Sequence, residues 1–293
     1  MDVECVPQTV SNLHQETYNP NSEKATPVLR YPGGKQRQVL YFDHLLPDAD
    51  SISGRYVEPF VGGGAIFFHT NPRVAVLSDK NPELIDLYIG IRDHPETVWE
   101  LYRTFPDTKQ GYYAVRDRSV DELTLPQRAA RTLYLNRTCF KGMWRHNAQG
   151  KFNVGYGGQD RRWVISKERL FEVSLHLSRS TLCCSDFEPI IDSCSAGDFL
   201  FLDPPYRPGE RDLLNDHYTF GTFRYDDQIR LAQALHRASE RGVQWLMTNS
   251  SHEDITRLYE DCQCISLLKG TGKIPGHLAE HTEEVVIMNT ETD

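Results

Sequence analysis

No stretch of the 293-residue sequence approaches the ~18 consecutive apolar residues of a membrane-spanning helix, which excludes a helical membrane protein. The first residues lack the basic-then-apolar pattern of a secretion signal, so a cytoplasmic protein is expected. Without that signal, the acceptor patterns Asn136-Arg137-Thr138 and Asn249-Ser250-Ser251 carry no meaning for glycosylation. A disulfide framework is missing too: seven cysteines, with Cys183 and Cys184 adjacent, read as reduced thiols. Cys262, Cys264, His277 and His281 imitate a two-Cys, two-His zinc order. The Cys-x-Cys spacing is too short for the usual finger, and no metal is expected. There is no internal repeat. No P-loop is present either, because Lys273 of Gly270-Thr271-Gly272-Lys273 is followed by Ile274. Finally, positive charge is scarce: the chain carries a formal −9, at first sight a poor partner for nucleic acid.

The distribution of charge reverses that impression. Between Arg128 and Arg169 stand ten basic residues (Arg128, Arg131, Arg137, Lys141, Arg145, Lys151, Arg161, Arg162, Lys167 and Arg169) against only Asp160 and Glu168. Phe140, Trp144, Phe152, Tyr156 and Trp163 are interleaved with them. A basic, aromatic segment inside an acidic chain is the electrostatic footprint expected for a polyanion partner. A solvated helix face is the plainer alternative.

The chain divides into a core, an insertion and a return to the core. Residues 1–26 form a polar tail expected to be disordered. The core opens with a helix expected over 36–46, then a strand at Arg55–Glu58 leading into Pro59-Phe60-Val61-Gly62-Gly63-Gly64 and a helix start at Ala65. A second strand, Val74–Leu77, ends at Ser78-Asp79, and a helix spans Pro82–Asp93. This order is the start of a nucleotide-binding α/β sheet. Residues 95–180 read as mainly helical inserted sequence. The core resumes at 181 with strands over Thr181–Phe187 and before Asp203, a helix over 226–241, and strands at Val243–Met247 and Glu284–Met288.

Two local motifs carry chemistry. The Gly62-Gly63-Gly64 turn lets backbone approach a ligand closely, since glycine tolerates positive φ. Asp79 follows Gly62 by 17 residues, near the spacing of an acid that binds ribose hydroxyls, although a helix cap would use the same residue type. Phe67 stands where the third small residue of a dinucleotide fingerprint belongs, so a nucleoside cofactor without pyrophosphate fits better than a dehydrogenase. The second motif is Asp203-Pro204-Pro205-Tyr206 after the apolar run Phe199–Leu202. The prolines remove two backbone donors and leave carbonyl oxygens to face a ligand. An acceptor pair beside a stacking ring suits a flat base with an exocyclic amino group.

Taken with Tyr31-Pro32-Gly33-Gly34-Lys35, Asn136–Gly142, Arg145-His146-Asn147, Gly150–Val154, Phe223–Gln228 and Thr248-Asn249-Ser250, these motifs make residues 27–290 resemble the Dam-like N6-adenine DNA methyltransferases. The resemblance implies a Rossmann-like α/β core sheet, 27–94 and 181–293, that uses S-adenosylmethionine, with a mainly helical DNA target-recognition insertion at 95–180. It implies that Tyr31, Lys35, Phe60, Gly62, Gly64, Asp79, Asp186, Phe187 and Asp203 hold the cofactor. Asp203, Pro204, Pro205 and Tyr206 are the implied catalytic group, acting on a base flipped out of double-stranded DNA at a cost of a few kcal/mol. Arg30, Arg137, Phe140, Lys141, Arg145, Asn147 and Lys151 are the candidate DNA contacts. Lys141 stands where Asn is common in that family and Gly155 where Pro is common, so a GATC-like target is one option rather than a carry-over. The expected setting is a prokaryotic or phage-infected cell. There a monomer would act alone or beside a separate restriction endonuclease. N4 methylation of cytosine, disfavoured by Asp rather than Ser at 203, and a silent DNA-binding relative are the alternatives.

Overall fold

The computed structural model describes residues 25–30, 35–36, 38–147, 149–158, 165–206, 223–267 and 284–289. Seven strands form one sheet: β1 (Tyr56–Glu58), β2 (Ala75–Asp79), β3 (Ser180–Cys184), β4 (Phe199–Leu202), β5 (Gln244–Ser250), β6 (Gln263–Ser266) and β7 (Glu284–Met288). Their order is β3-β2-β1-β4-β5-β7-β6. Neighbours from β3 to β5 pair in parallel, and β7 runs antiparallel to both β5 and β6. This is the Rossmann-like α/β architecture expected from the motif order. Every residue of β1 and β4 is buried, as expected of parallel strands covered on both faces. The chain winds outward through β2 and β3 on one side of β1 and through β5 on the other side of β4. The winding reverses between β1 and β4, which opens a crevice at their carboxyl ends.

Period-two alternation assigns the strand residues to two cores. Tyr56, Ala75, Leu77, Phe199 and Phe201 pack with α1 (Ala65–Thr70) and α2 (Pro82–Asp93). Val57, Val76, Leu200, Leu202, Trp245 and Met247 pack with α7 (Phe187–Asp192), α8 (Tyr225–Glu240) and α9 (Glu253–Thr256). Residues 95–177 supply α3 (Pro95–Thr104), α4 (Lys109–Arg116), α5 (Leu125–Thr138) and α6 (Lys167–Leu177). Their buried Val98, Tyr102, Tyr112, Leu133, Leu170 and Val173 join the first core, with α2 against α5, α6 and α3.

Three local expectations differ from the structure. Residues 36–46 form no continuous helix; Val39–Tyr41 and Asp43–Leu45 are separate 3₁₀ turns. Phe42 breaks from helical geometry and is fully buried, with its ring stacked on Phe201 at 6.2 Å. The 3₁₀ repeat of three residues per turn sets Val39 and Phe42 in line, both facing inward. The strand expected to reach Phe187 stops at Cys184. Asp186 instead caps α7 by accepting from Glu188 N at 3.1 Å. Strand β6 was not legible, because its half-buried, half-exposed alternation contains a single strong strand former, Ile265.

At the opposite end of β1 and β4, the buried Asp198 carboxylate accepts from Arg55 N at 2.7 Å, Arg55 Nη2 at 2.6 Å and Ser195 N at 3.1 Å. Burial raises its pKa, but these donors outweigh burial and hold it below the usual carboxylate range. Asp198→Ala is expected to destabilise the fold by about 2 kcal/mol, because four donors, Arg55 Nε at 3.3 Å included, lose a charged acceptor. For the wild type, this contribution is present above the unfolded carboxylate pKa of about 3.9 and is lost as the pH falls through the lower folded value. Denaturant melts of both proteins at neutral pH check the estimate.

Candidate active site

The crevice is lined first by the turn after β1. Gly62 and Gly64 have φ of 46° and 69°, and Gly64 is the N-cap of α1. A Cβ on Gly64 would lie 2.9 Å from Phe68 Cε2 and 3.3 Å from Tyr88 Oη, so both conformation and space require glycine. Tyr88 Oη donates to Gly62 O at 2.8 Å, and Gly62 N donates to Asp79 Oδ2 at 3.1 Å. Asp79 Oδ1 accepts from Asn81 N at 2.9 Å. Asn81, not Asp79, caps α2, accepting from Glu83 N at 3.0 Å with Pro82 following. Asp79 is thereby held at the rim of the Gly turn. Burial pushes its carboxyl up to about 6 against the backbone N–H groups of Asn81, Gly62 and Lys80, which favour the anion.

Beside this turn, Phe60 stacks on Phe187 at 5.4 Å, and Phe223 meets Phe60 edge-on at 5.8 Å. Arg230 lies over Phe187 at 4.4 Å and donates to Asp186 Oδ2 at 3.1 Å. Glu58, almost fully buried at the end of β1, accepts from Tyr56 Oη at 2.8 Å. Burial drives its pKa well above the carboxylate range, and the charges of Asp203 and Asp79 add to the shift. Aromatic walls and an acid held at a glycine turn are groups that could hold a nucleoside. A pyrophosphate would face these acids with no arginine or lysine on the turn.

Across the switch point stands the tetrapeptide after β4. Lys35, only 4% exposed, donates to Tyr206 Oη at 2.6 Å. Its Nζ lies 3.2 Å from Asp203 Oδ1, 3.9 Å from Glu284 Oε2 and 4.7 Å from the Tyr206 ring centre. Glu284 also accepts from Gln38 Nε2 at 2.8 Å. The parallel register Leu202↔Met247 sets Asp203 beside Thr248, whose Oγ1 donates to Asp203 Oδ1 at 2.8 Å. Burial and the carboxylates of Asp203 and Glu284 raise the Tyr206 phenol well above its normal value, so it stays neutral. Lys35 thus sits with the tetrapeptide. Tyr31 lies outside the described residues. Among the described residues no group of three or more His, Cys, Asp or Glu side chains is arranged to hold a metal ion, and His277 and His281 lie outside them.

The basic segment separates into two populations. Arg131, 5% exposed, donates to Val115 O and Arg116 O at the end of α4. Arg128 pairs with Asp86 at 2.7 Å and Lys167 with Glu96 at 2.6 Å. These charges hold helices to one another. Asn136 brackets the Arg30 backbone, accepting from its N at 2.9 Å and donating to its O at 2.7 Å. Burial lowers the Arg137 pKa, and the neighbouring Arg30 and Arg169 charges lower it further. Between α5 and α6 the chain folds back on itself, with antiparallel bridges Cys139↔Tyr156 and His146↔Phe152. Exposed Phe140, Lys141, Asn147 and Lys151 lie on this hairpin-like excursion. Arg145 Nε donates to Asn153 Oδ1 at 2.8 Å, while Asn147 Oδ1 accepts from Gln149 N and Lys151 N, each at 3.0 Å, and so shapes the tip. His146 Nε2 lies 3.0 Å from Glu83 Oε2, which ties the excursion to the first turn of α2. Arg161, Arg162 and Trp163 lie outside the described residues.

Sequence reasoning did not assign Glu58, Thr248, Gln228, Arg230 or Glu284 to the site. Thr248 and Gln228 fall in the motifs Thr248-Asn249-Ser250 and Phe223–Gln228, a signal that marked the segments without giving each side chain its role.

A doubly wound sheet with a glycine turn on one side of its switch point and an Asp-Pro-Pro-Tyr turn on the other is consistent with an α/β methyltransferase. Residues 31–272 match the D12 class N6 adenine-specific DNA methyltransferases, and the chain belongs to that family. It is 32% identical to a type II methyltransferase of Lactococcus lactis subsp. cremoris over 82% of this chain and 87% of that protein. It is 34% identical to a DNA N-6-adenine-methyltransferase of Escherichia phage P1 over 88% of this chain, which spans 34% of that longer protein. A DNA adenine methylase of Vibrio cholerae is 30% identical over 82% and 87%. The protein is therefore an enzyme that methylates adenine in DNA at N6.

Proposed function

We propose that S-adenosylmethionine is the methyl donor and that Asp203, Pro204, Pro205 and Tyr206 act on an adenine flipped out of double-stranded DNA. The reading is carried by one juxtaposition: Asp203, held by Thr248 and Lys35, faces the Gly62–Asp79 cradle across the β1–β4 switch point. Asp79 would take the ribose hydroxyls, Phe60 and Phe187 the adenine ring, and Asp203 would lie by the methionine end. The bound cofactor supplies an electrophilic methyl group.

Everything else falls to the chain. The N6 lone pair of adenine is delocalised into the ring and is a poor nucleophile. The Asp203 carboxylate and the Pro204 carbonyl would each accept a hydrogen bond from one amino proton, favouring a tetrahedral nitrogen, and one of those protons would leave to water once the methyl group has been transferred. The two acceptors would also oppose the positive charge that develops on the nitrogen as the new N–C bond forms. Tyr206 would stack on the base through the face opposite Lys35. No covalent nucleophile is needed.

Phosphates are expected along Arg30, Arg137, Lys141 and Lys151, with Arg145 reading a base edge and Asn147 shaping the loop that presents it. Arg145→Ala is expected to relax base choice at one position of the target by about tenfold or more, since an arginine fork contributes roughly 1–3 kcal/mol of discrimination. Methylation mapped by single-molecule sequencing tests this, and an unchanged motif removes Arg145 from recognition. The same assay on unmethylated genomic DNA, with methyl-labelled S-adenosylmethionine, tests the whole reading. N6-methyladenine in one repeated motif supports it, and no label in DNA despite cofactor binding refutes it. The proposed form is a cytoplasmic monomer of a prokaryotic or phage-infected cell, an orphan enzyme or one beside a separate cognate endonuclease.

A further inference from the structure

The Asp203–Tyr206 turn has few means of holding its own shape. Pro204 and Pro205 have no N–H, so neither can donate to a neighbouring carbonyl. Their rings fix φ at both positions and leave the two ψ angles as the soft coordinates of the turn. The direction of the Pro204 carbonyl, a hydrogen-bond acceptor in the proposed chemistry, depends on those angles. Something outside the turn has to set them.

Behind the turn lies a line of three hydrogen bonds. Gln228 Nε2, from the first turns of α8, donates to Pro205 O at 3.1 Å. Gln228 Oε1 accepts from Asn249 Nδ2 at 3.1 Å. Asn249 Oδ1 accepts from Ser250 N at 2.7 Å. Gln228 is 2% exposed and Asn249 is fully buried. The polarity of the line is set at its ends. Ser250 N–H can only donate and Pro205 C=O can only accept, so each amide between them has one satisfactory orientation. A flipped Gln228 would press oxygen against oxygen at Pro205 and leave buried groups unmatched.

We propose that Gln228 and Asn249 are positioning residues for methyl transfer, forming a one-way amide relay that pins the Pro205 carbonyl and thereby aims the Pro204 carbonyl at the target amine. The proposal rests on the assignment of Asp203–Tyr206 as the reacting turn. Neither amide touches the base or the cofactor in this scheme. A merely structural role would be served by any pair of satisfied buried amides and would appear as lost stability at every pH.

Gln228→Glu separates the two. As a carboxylate, residue 228 repels Pro205 O; once protonated, it can again donate to Pro205 O while accepting from Asn249. Single-turnover methylation is measured for wild type, Gln228→Glu, Gln228→Leu and Asp203→Ala, with DNA and donor saturating, across pH. Expected are a loss of about 10–100-fold for Gln228→Leu and for Gln228→Glu at high pH, with donor and DNA affinities within about threefold of wild type. The Gln228→Glu to wild-type rate ratio should climb as the pH falls, whereas the Gln228→Leu ratio stays low and flat. Asp203, Lys35, Tyr206, Glu58 and Glu284 around the turn, and Arg224, Asp226, Asp227 and Arg230 at the start of α8, are common to all three proteins and cancel in that ratio. Asn249→Asp should show the same acid rescue and serves if Gln228→Glu does not fold. A ratio independent of pH, or a rate loss matched by lost donor or DNA affinity, overturns the relay. Wild-type rates in Asp203→Ala would instead overturn the reacting turn itself.

Discussion

Asp203→Ala is expected to lower the single-turnover rate of adenine methylation by about 10³-fold, close to 4 kcal/mol of transition-state stabilisation. The reason is positional. Asp203 sits one residue past a fully buried strand, and its Oδ1 is held by the Thr248 hydroxyl at 2.8 Å and approached by Lys35 Nζ at 3.2 Å. Its carboxylate therefore needs little reorganisation when charge develops on the target nitrogen. DNA binding and its salt dependence should survive, because the exposed basic residues of the hairpin-like excursion remain. Asp203→Asn keeps the shape without the charge and should retain more activity than the alanine variant. A rate for Asp203→Ala within threefold of wild type would remove Asp203 from the chemistry.

Acidification should weaken donor binding through Asp79, and the two proton-linked effects at this residue have opposite signs. With a pKa near 6 in the free protein, Asp79 is ionised at pH 7.5 and largely protonated at pH 5. Only the anion accepts hydrogen bonds from two ribose hydroxyls, so the dissociation constant for S-adenosylmethionine should rise about tenfold for each pH unit below that value. Fold stability moves the other way. The folded pKa exceeds the unfolded value of about 3.9, so the folded protein binds more protons between pH 4 and 6. This group's contribution therefore falls as the pH rises through that window. Asp79→Asn should weaken binding by about 10–100-fold at neutral pH and flatten both dependences. Calorimetric titrations and thermal melts across pH 5–8 read the two effects separately. Donor affinity in the wild type that stays constant from pH 7.5 to 5 would contradict the assignment.

Much of this molecule is legible from local pattern. The expected helix at Pro82–Asp93 and the closing strand at Glu284–Met288 match the observed limits, because each is defined by periodicity and its own end signals. Where the reading failed, a distant contact had overruled local preference. Phe42 on Phe201 divides an expected helix into two turns, and the end of α4 claims Arg131, which by charge alone belonged with the polyanion contacts.

The sequence by itself determined the two candidate motifs: an acid, two prolines and an aromatic after one strand, and a glycine turn with a following acid after another. The Asp203–Tyr206 residues are consecutive, so backbone geometry alone makes that group, whereas Gly62 and Asp79 meet through the pairing of β1 with β2. Only the tertiary structure decided how the groups meet. Parallel pairing of β1 with β4 and of β4 with β5, and antiparallel pairing of β7 with β5, bring Lys35, Glu58, Asp203, Gln228, Thr248 and Glu284 together. Which strands pair is set by burial of both sheet faces at once, a property of the whole chain that no single segment encodes.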